Sequence, residues 1–224
     1  MVEGRLAIRV AGETLLLLPG RAVFWPRART LVIADLHLGK GDHFRRAGIA
    51  LPRGGTDHDL ARLDMLIEST GAARLLVLGD LLHASVRDAP WREAWQVWRA
   101  RHALRNVTLV AGNHDRALRG APALAASMGL ELHDACLLEA PFAFVHDVDD
   151  LAAIPGFYRL GGHAHPVVRL PGVPRLPAFV FAGDAGLLPA YTAFAGGLSV
   201  TRADGVRLFA CAPDAVVPLQ PAGA

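Results

Sequence analysis

Three apolar runs in the first half of the chain each have the length of a buried strand, and each stops on polar residues. They are Arg29–His37 (RTLVIADLH), Ala73–Asp80 (ARLLVLGD) and Asn106–Asp115 (NVTLVAGNHD). Short apolar runs bounded by turn signals read as strands buried on both faces. Helical patterns separate them: one opens at Thr56, with Asp59 three residues on as a capping-box-like pair, and another covers 90–105. A third helix is expected over 120–129. Alternating strands and helices call for a parallel sheet with crossover helices. Such open sheets bind ligands at the carboxyl ends of their strands, where the three runs place Asp35, Asp80 and Asn113.

The remainder reads mostly as strands. Residues 5–33 carry turn signals at Ala11-Gly12 and Pro19-Gly20. After Leu130, strands are expected over 130–133, 136–139, 142–146, 157–162, 166–170, 176–182, 197–202 and 206–211. With 224 residues and 52% hydrophobic composition, the chain can bury the core of one domain. That domain is expected over 1–212, with a loosely held Pro/Ala-rich tail over 213–224. A net charge of +2 does not by itself mark a nucleic-acid binder. Cys136 and Cys211 lie outside any CxxC pattern, which fits a reducing compartment. The apolar run Leu15–Leu18 is far too short to span a bilayer, so a cytoplasmic location and no membrane contact are expected.

The polar residues at the strand ends form an ordered series: Asp35-x-His37, Gly79-Asp80 with His83, Gly112-Asn113-His114-Asp115, His146, and Gly162-His163-Ala164-His165. In an extended segment, residues i and i+2 share a side, so Asp35 with His37, and His163 with His165, could each hold a divalent ion. Asp80 has two carboxylate oxygens and could bridge two cations at the ~3.5–4 Å separation of two-metal sites. D-x-H and GD are common alone. GNHD is sharper, arising by chance in about one chain in a thousand at average residue usage. Asn113 offers a carbonyl oxygen. His114 can protonate a leaving alkoxide, with Asp115 expected to fix its tautomer. A lone strand-end histidine such as His146 is usually structural, but its place in the series makes it a ligand candidate. His83 either orients a ligand or a substrate phosphate or is a surface-loop residue. His43, His58, His102 and His133 carry no expected role. Carboxylate, amide and imidazole donors without thiolate suit two divalent ions, Mn²⁺ first, with Fe, Zn, Ni, Co and Mg admitted.

This order of motifs resembles the calcineurin-like metallophosphoesterase superfamily over Leu31 to Pro166. DLHLGKGDHFRRAGIALPRG, GDLLH, GGHAHPVVRL and LLPAYTAFAGG also resemble the narrower group of bacterial DNA ligase-associated, DNA-damage-response metallophosphoesterases. The resemblance implies an α/β fold of four layers, an αββα sandwich with two mixed β-sheets flanked by helices. It implies one metal held by Asp35, His37, Asp80 and His165, a second held by Asp80, Asn113, His146 and His163, and His114 as general acid. It further implies a Mn-dependent endonuclease or phosphodiesterase acting on single-stranded DNA, with a functional link to the DNA ligase or helicase of a repair cluster. Two features depart from the group. Asp147 directly follows His146, and Ala190–Gly197 reads AYTAFAGG, which is expected to alter substrate contacts and leave the metal ligands untouched.

The stretch after the first motif carries Lys40, the chain's single lysine, with Arg45, Arg46 and Arg53 against Asp42. It reads as a loop that could line a phosphate track, with Phe44 either stacked on a base or packed in the core. Trp91, Trp95 and Trp98 share one helical face and are expected to pack on the sheet. Arg99, Arg101 and Arg105 read as solvated charges. Three functions fit: a DNA endonuclease or phosphodiesterase, a phosphatase of nucleotides or small phosphate esters, and a non-catalytic scaffold. The full ligand set and His114 argue against the last.

Overall fold

The structure is a computed structural model that describes residues 3–51, 54–83, 91–102 and 106–219. Two mixed sheets pack face to face. The first has the strand order β1(Leu6–Val10), β2(Glu13–Leu18), β3(Ala22–Trp25), β4(Thr30–Ala34), β5(Arg74–Leu78), β6(Asn106–Val110), β7(Leu130–His133). β1 to β4 form an antiparallel meander, and β4 to β7 run parallel. The second sheet is built from β8(Cys136–Glu139), β9(Phe142–Val145), β10(Tyr158–Gly161), β12(Leu176–Ala182), β13(Ala185–Leu187), β14(Val206–Cys211) and β15(Val216–Leu219). Its order is β15-β14-β12-β13-β10-β9-β8, and β11(Val167–Val168) pairs with β12.

The period-2 alternation of strand side chains divides the core. Val32, Leu76, Leu78 and Val110 face the second sheet, where they meet Phe142, Phe144, Phe179 and Phe181. Leu31, Ile33, Leu75, Val77 and Leu109 face the other way. There they meet Leu60, Leu63 and Ile67 of α2(Gly55–Thr70) and Trp91, Trp95 and Trp98 of α3(Trp91–Arg101). The three tryptophans therefore pack as their spacing requires, and Trp95 Nε1 also donates to the carbonyl of Met128 at 3.0 Å. The outward face of the second sheet carries a smaller cluster, Val168, Ala178, Leu208 and Ala210, to which no helix contributes among the described residues.

Several local expectations are revised. Residues 40–46, read as a loop, form α1(Lys40–Arg46), which starts after Gly39 at φ 83°. The capping box at Thr56 is absent: α2 is preceded by Gly54 in the left-handed region, with no side-chain cap. Asp59 is instead buried against Arg62 at 3.1 Å. Residues 197–202 form no strand, only an isolated bridge from Ser199 to Val167. The tail is not loose from Pro213 onward, because β15 pairs with β14 and Val216 joins the core between the sheets. Residues 220–224 lie outside the described residues, as do Arg53 and Arg105.

Cys211 is buried between the sheets, its Sγ 2.8 Å from the carbonyl oxygen of Pro19, and burial pushes its thiol up to about 11. Cys136 is half-buried. Only the thiolate reacts as a nucleophile. At pH 8 the folded protein should therefore react with a disulfide reagent at Cys136 alone, and denaturant should release the second thiol. Two thiols titrating at equal rates in the folded protein would contradict this packing.

Candidate metal centre

The register sets the site. Ala34 pairs with Leu78, and Leu78 with Val110, so β4, β5 and β6 end at one level. The chain leaves these ends at Asp35, Gly79-Asp80 and Ala111-Gly112-Asn113. Across the interface β9 and β10 are also parallel and end before His146 and Gly162-His163. All five motifs thus meet at one edge of the sandwich, as strand ends of parallel segments should.

The sheet ladder does not stop where the strands do. The Asp35 N–H donates to the Gly79 carbonyl at 3.1 Å, His37 N–H to Asp80 at 2.8 Å and Gly162 N–H to His146 at 2.8 Å. The backbone between these bonds turns sharply: Asp35, His37, Asp80, His163 and His165 all have φ between 48° and 61°. Left-handed residues other than glycine cost of order 1–3 kcal/mol where they persist, and they collect at functional sites. Asp35 and His37 therefore converge through left-handed turns rather than through the strand alternation expected from their spacing. Glycines clear the space. A Cβ on Gly79, at φ 74°, would overlap the His146 ring, and one on Gly112 would overlap the Asp80 carboxylate.

The donor atoms form two groups. In the first, His165 Nε2 is 3.3 Å from Asp35 Oδ1, and His37 Nε2 is 3.8 Å from Asp80 Oδ2. In the second, His146 Nε2 is 2.9 Å from Asn113 Oδ1, 3.0 Å from His163 Nδ1 and 3.6 Å from Asp80 Oδ1. Asp80 thus presents one oxygen to each group. Asp35 Oδ1, both ring nitrogens of His37 and His165 Nε2 are buried without a hydrogen-bond partner. His146 Nδ1 lies 3.2 Å from the Leu78 carbonyl and must carry the ring hydrogen there. Its Nε2 is then a lone pair facing two acceptor oxygens, Asn113 Oδ1 and Asp80 Oδ1, with His163 Nδ1 beside them. Orphaned buried polar atoms are costly, and a cation bound among these acceptors would satisfy them. The residues fit two metal ions.

Burial, reinforced by the Lys40 charge, lowers the His37 imidazole to about 2 and His83 to about 4. Both are therefore neutral, the state in which imidazole ligates. Lys40 is buried rather than displayed to solvent. Burial lowers its pKa, while the Asp35 and Asp80 charges raise it. Arg45 is engaged with Asp42, and Arg46 is exposed, its Nε 3.4 Å from the Asp42 carbonyl.

His114 is partly exposed. Its backbone N–H donates to Asp80 Oδ1 at 2.9 Å, its Nδ1 lies 3.3 Å from the His83 carbonyl, and its Nε2 is 4.0 Å from Asp80 Oδ2. Asp115 does not orient this ring. Its fully buried carboxylate accepts the backbone N–H groups of Gly112 at 2.9 Å, Leu82 at 3.0 Å and Leu81 at 3.3 Å. Burial raises it to about 6, against the pull of these three donors. Asp115 ties the turn after β6 to the turn after β5.

Sequence reasoning set His43 aside, and the structure brings it to the site. His43 lies with its ring centroid 5.0 Å from that of His83, which stacks on His114 at 5.2 Å; half-buried Phe44 lies 5.8 Å from His83. Nothing in the spacing of α1 announces this, because the helix itself was not foreseen. Tyr191 and Thr192 were expected near substrate but are buried behind Asp35. Their N–H groups donate to Ala34 at 2.8 Å and Asp35 at 3.2 Å, and Arg21 and Arg62 hold their carbonyls. His102 pairs with Asp64 at 2.5 Å and His133 with Glu131 at 3.2 Å, both away from the centre.

Comparison with known proteins now adds to this geometry. The chain is similar to a Pseudomonas putida nuclease MPE of known crystal structure, with 37% identity, a TM-score of 0.82, and coverage of 96% of this chain and 100% of that one. It is also matched to YfcE, a phosphoesterase from E. coli, at 16% identity and a TM-score of 0.48, covering 84% of this chain and 96% of that one. No curated protein matches. The model of the calcineurin-like phosphoesterase family matches residues 28–186, which takes in β4 to β12 and every candidate ligand. By that match, two facing mixed sheets with the metal-donor residues at their shared edge, the chain belongs to the calcineurin-like phosphoesterase family of metallophosphoesterases, enzymes with a binuclear metal site.

Proposed function

We propose that the protein is a nuclease that hydrolyses phosphodiester bonds of single-stranded DNA with two Mn²⁺ ions. One observation carries the two-metal part: the carboxylate of Asp80 presents Oδ1 to His146 Nε2, which also meets Asn113 Oδ1 and His163 Nδ1, and Oδ2 to His37 Nε2. In this reading Asp35, His37, Asp80 and His165 hold one ion, and Asp80, Asn113, His146 and His163 hold the other. The ions would lower the pKa of water and neutralise the phosphoryl oxygens. The chain's own residues do the rest. The strand-end ligands fix where the scissile phosphate would be drawn, and His114, whose Nε2 lies 4.0 Å from Asp80 Oδ2, passes a proton to the leaving oxygen. His83 stacks on His114 and limits its rotation. Arg46 is the exposed cation of α1 among the described residues, and with Arg45 it supplies charge for the flanking strand.

DNA as the substrate is supported by full-length similarity to a nuclease. Mn²⁺ is supported by oxygen and imidazole donors without thiolate. The test is incubation of the purified protein with Mn²⁺ and circular single-stranded DNA. Linearisation is expected, because a circle offers no ends. Intact circles together with turnover of small phosphate monoesters would replace this reading with a phosphatase.

A further inference from the structure

We infer that Asp147 is a positioning residue that aims His163 into the second metal site and sets the affinity of that site. The inference rests on the two-metal reading above. Asp147 follows the candidate ligand His146, and its two oxygens have separate tasks. Oδ1 accepts the Asp149 N–H at 3.0 Å and caps the 3-10 turn Val148–Asp150. Oδ2 lies 3.5 Å from Nε2 of His163.

The other face of the His163 ring needs such a partner. Nδ1 is 3.0 Å from His146 Nε2 and points at the shared donor group. The His163 backbone N–H is held by Asp35 Oδ2 at 3.0 Å, so the main chain is fixed, but the side chain is 44% exposed. It borders a cleft of about 360 Å³ that Asn113, Asp134, Asp147 and Leu151 also line. An imidazole at an open cleft can rotate and can carry its hydrogen on either nitrogen. A carboxylate at Nε2 removes both freedoms: it keeps the hydrogen on Nε2 and leaves the Nδ1 lone pair pointing inward. Carboxylate–histidine–metal chains work in this way, and loss of the outer carboxylate typically costs 10–100-fold in metal affinity. His146 has the equivalent outer partner in the Leu78 carbonyl.

The carboxylate is itself held in place. Arg159 donates to the carbonyls of Val148 at 2.9 Å and Leu151 at 2.8 Å, and its other amine grips Asp184 at 2.8 Å. The segment carrying Asp147 is therefore pinned on β10, the strand that delivers His163.

The test separates capping from aiming. Asp147→Asn keeps a side-chain oxygen for the cap and removes the anion; Asp147→Ser does the same with a shorter cap. Metal-free protein is titrated with Mn²⁺, and bound ion is counted by electron paramagnetic resonance. The wild type should take up two ions per chain. Both variants should keep the metal-free melting temperature and bind the first ion as the wild type does. The second ion should bind about 10–100-fold more weakly. Variants that bind both ions like the wild type overturn the role of Asp147 and leave the two-metal reading intact. A wild type that never takes up a second ion overturns that reading, and this inference with it.

Discussion

Replacement of His114 by alanine is expected to slow hydrolysis of DNA by about 10²–10⁴-fold, the usual contribution of a placed general acid, with metal content unchanged. The two halves of this result come from different parts of the residue. The backbone N–H, not the ring, bonds Asp80 Oδ1, so alanine preserves the support of the metal carboxylate. The ring contributes only beyond that point. With Nδ1 3.3 Å from the His83 carbonyl, Nε2 is the nitrogen left to deliver a proton to the leaving oxygen. A p-nitrophenyl ester leaves as a stable anion and needs that proton far less. The variant should therefore lose much less activity on the p-nitrophenyl ester than on DNA. Full DNA activity in His114→Ala would remove the residue from the reaction.

Asp80→Ala is expected to have a still broader effect. One carboxylate serves both donor groups, so its loss weakens both ions at once. Metal content should fall from about two ions per chain to below one, because neither group keeps its shared oxygen. Activity should drop at least ~10³-fold, equivalent to about 4 kcal/mol of barrier. Asp80→Asn is the informative companion. Its single carbonyl oxygen can serve one group, so retention of one ion is expected. Metal analysis by mass spectrometry reads both outcomes. An Asp80→Ala protein that holds two ions and cleaves DNA at the wild-type rate would show that the groups are independent.

The strands that carry the site were legible because β4, β5 and β6 are apolar runs that end abruptly, and a parallel sheet places such ends together. The candidate ligands could be picked out for a related reason, since few residue types follow these runs, and the fold brings them to one edge. What escaped was conformational. The i, i+2 spacing of Asp35 and His37 suggested an extended segment, whereas the backbone is left-handed at both. Asp115 was assigned to His114 because the two are adjacent. In a turn adjacent side chains diverge, and Asp115 reaches backward to the N–H groups of residues 81, 82 and 112. Helix α1 was hidden by Gly39 and Gly41, and β13 by its three-residue length and central Gly186. β15 was hidden by Pro213 and Pro218, though as an edge strand it tolerates a proline.

The left-handed turns also bear on which amino acids this centre could ever have recruited. Five of the seven proposed ligands sit at positive φ. Among residues other than glycine, Asn, Asp and His enter that region several-fold more readily than the rest. Glutamate and cysteine ligate metals well but have no such backbone preference. Main-chain geometry and coordination chemistry therefore filter for the same three-letter alphabet, and that alphabet is hard and borderline in its donors. A scaffold of this shape steers away from thiolate-loving ions before any metal arrives, so its metal preference is written partly in its torsion angles.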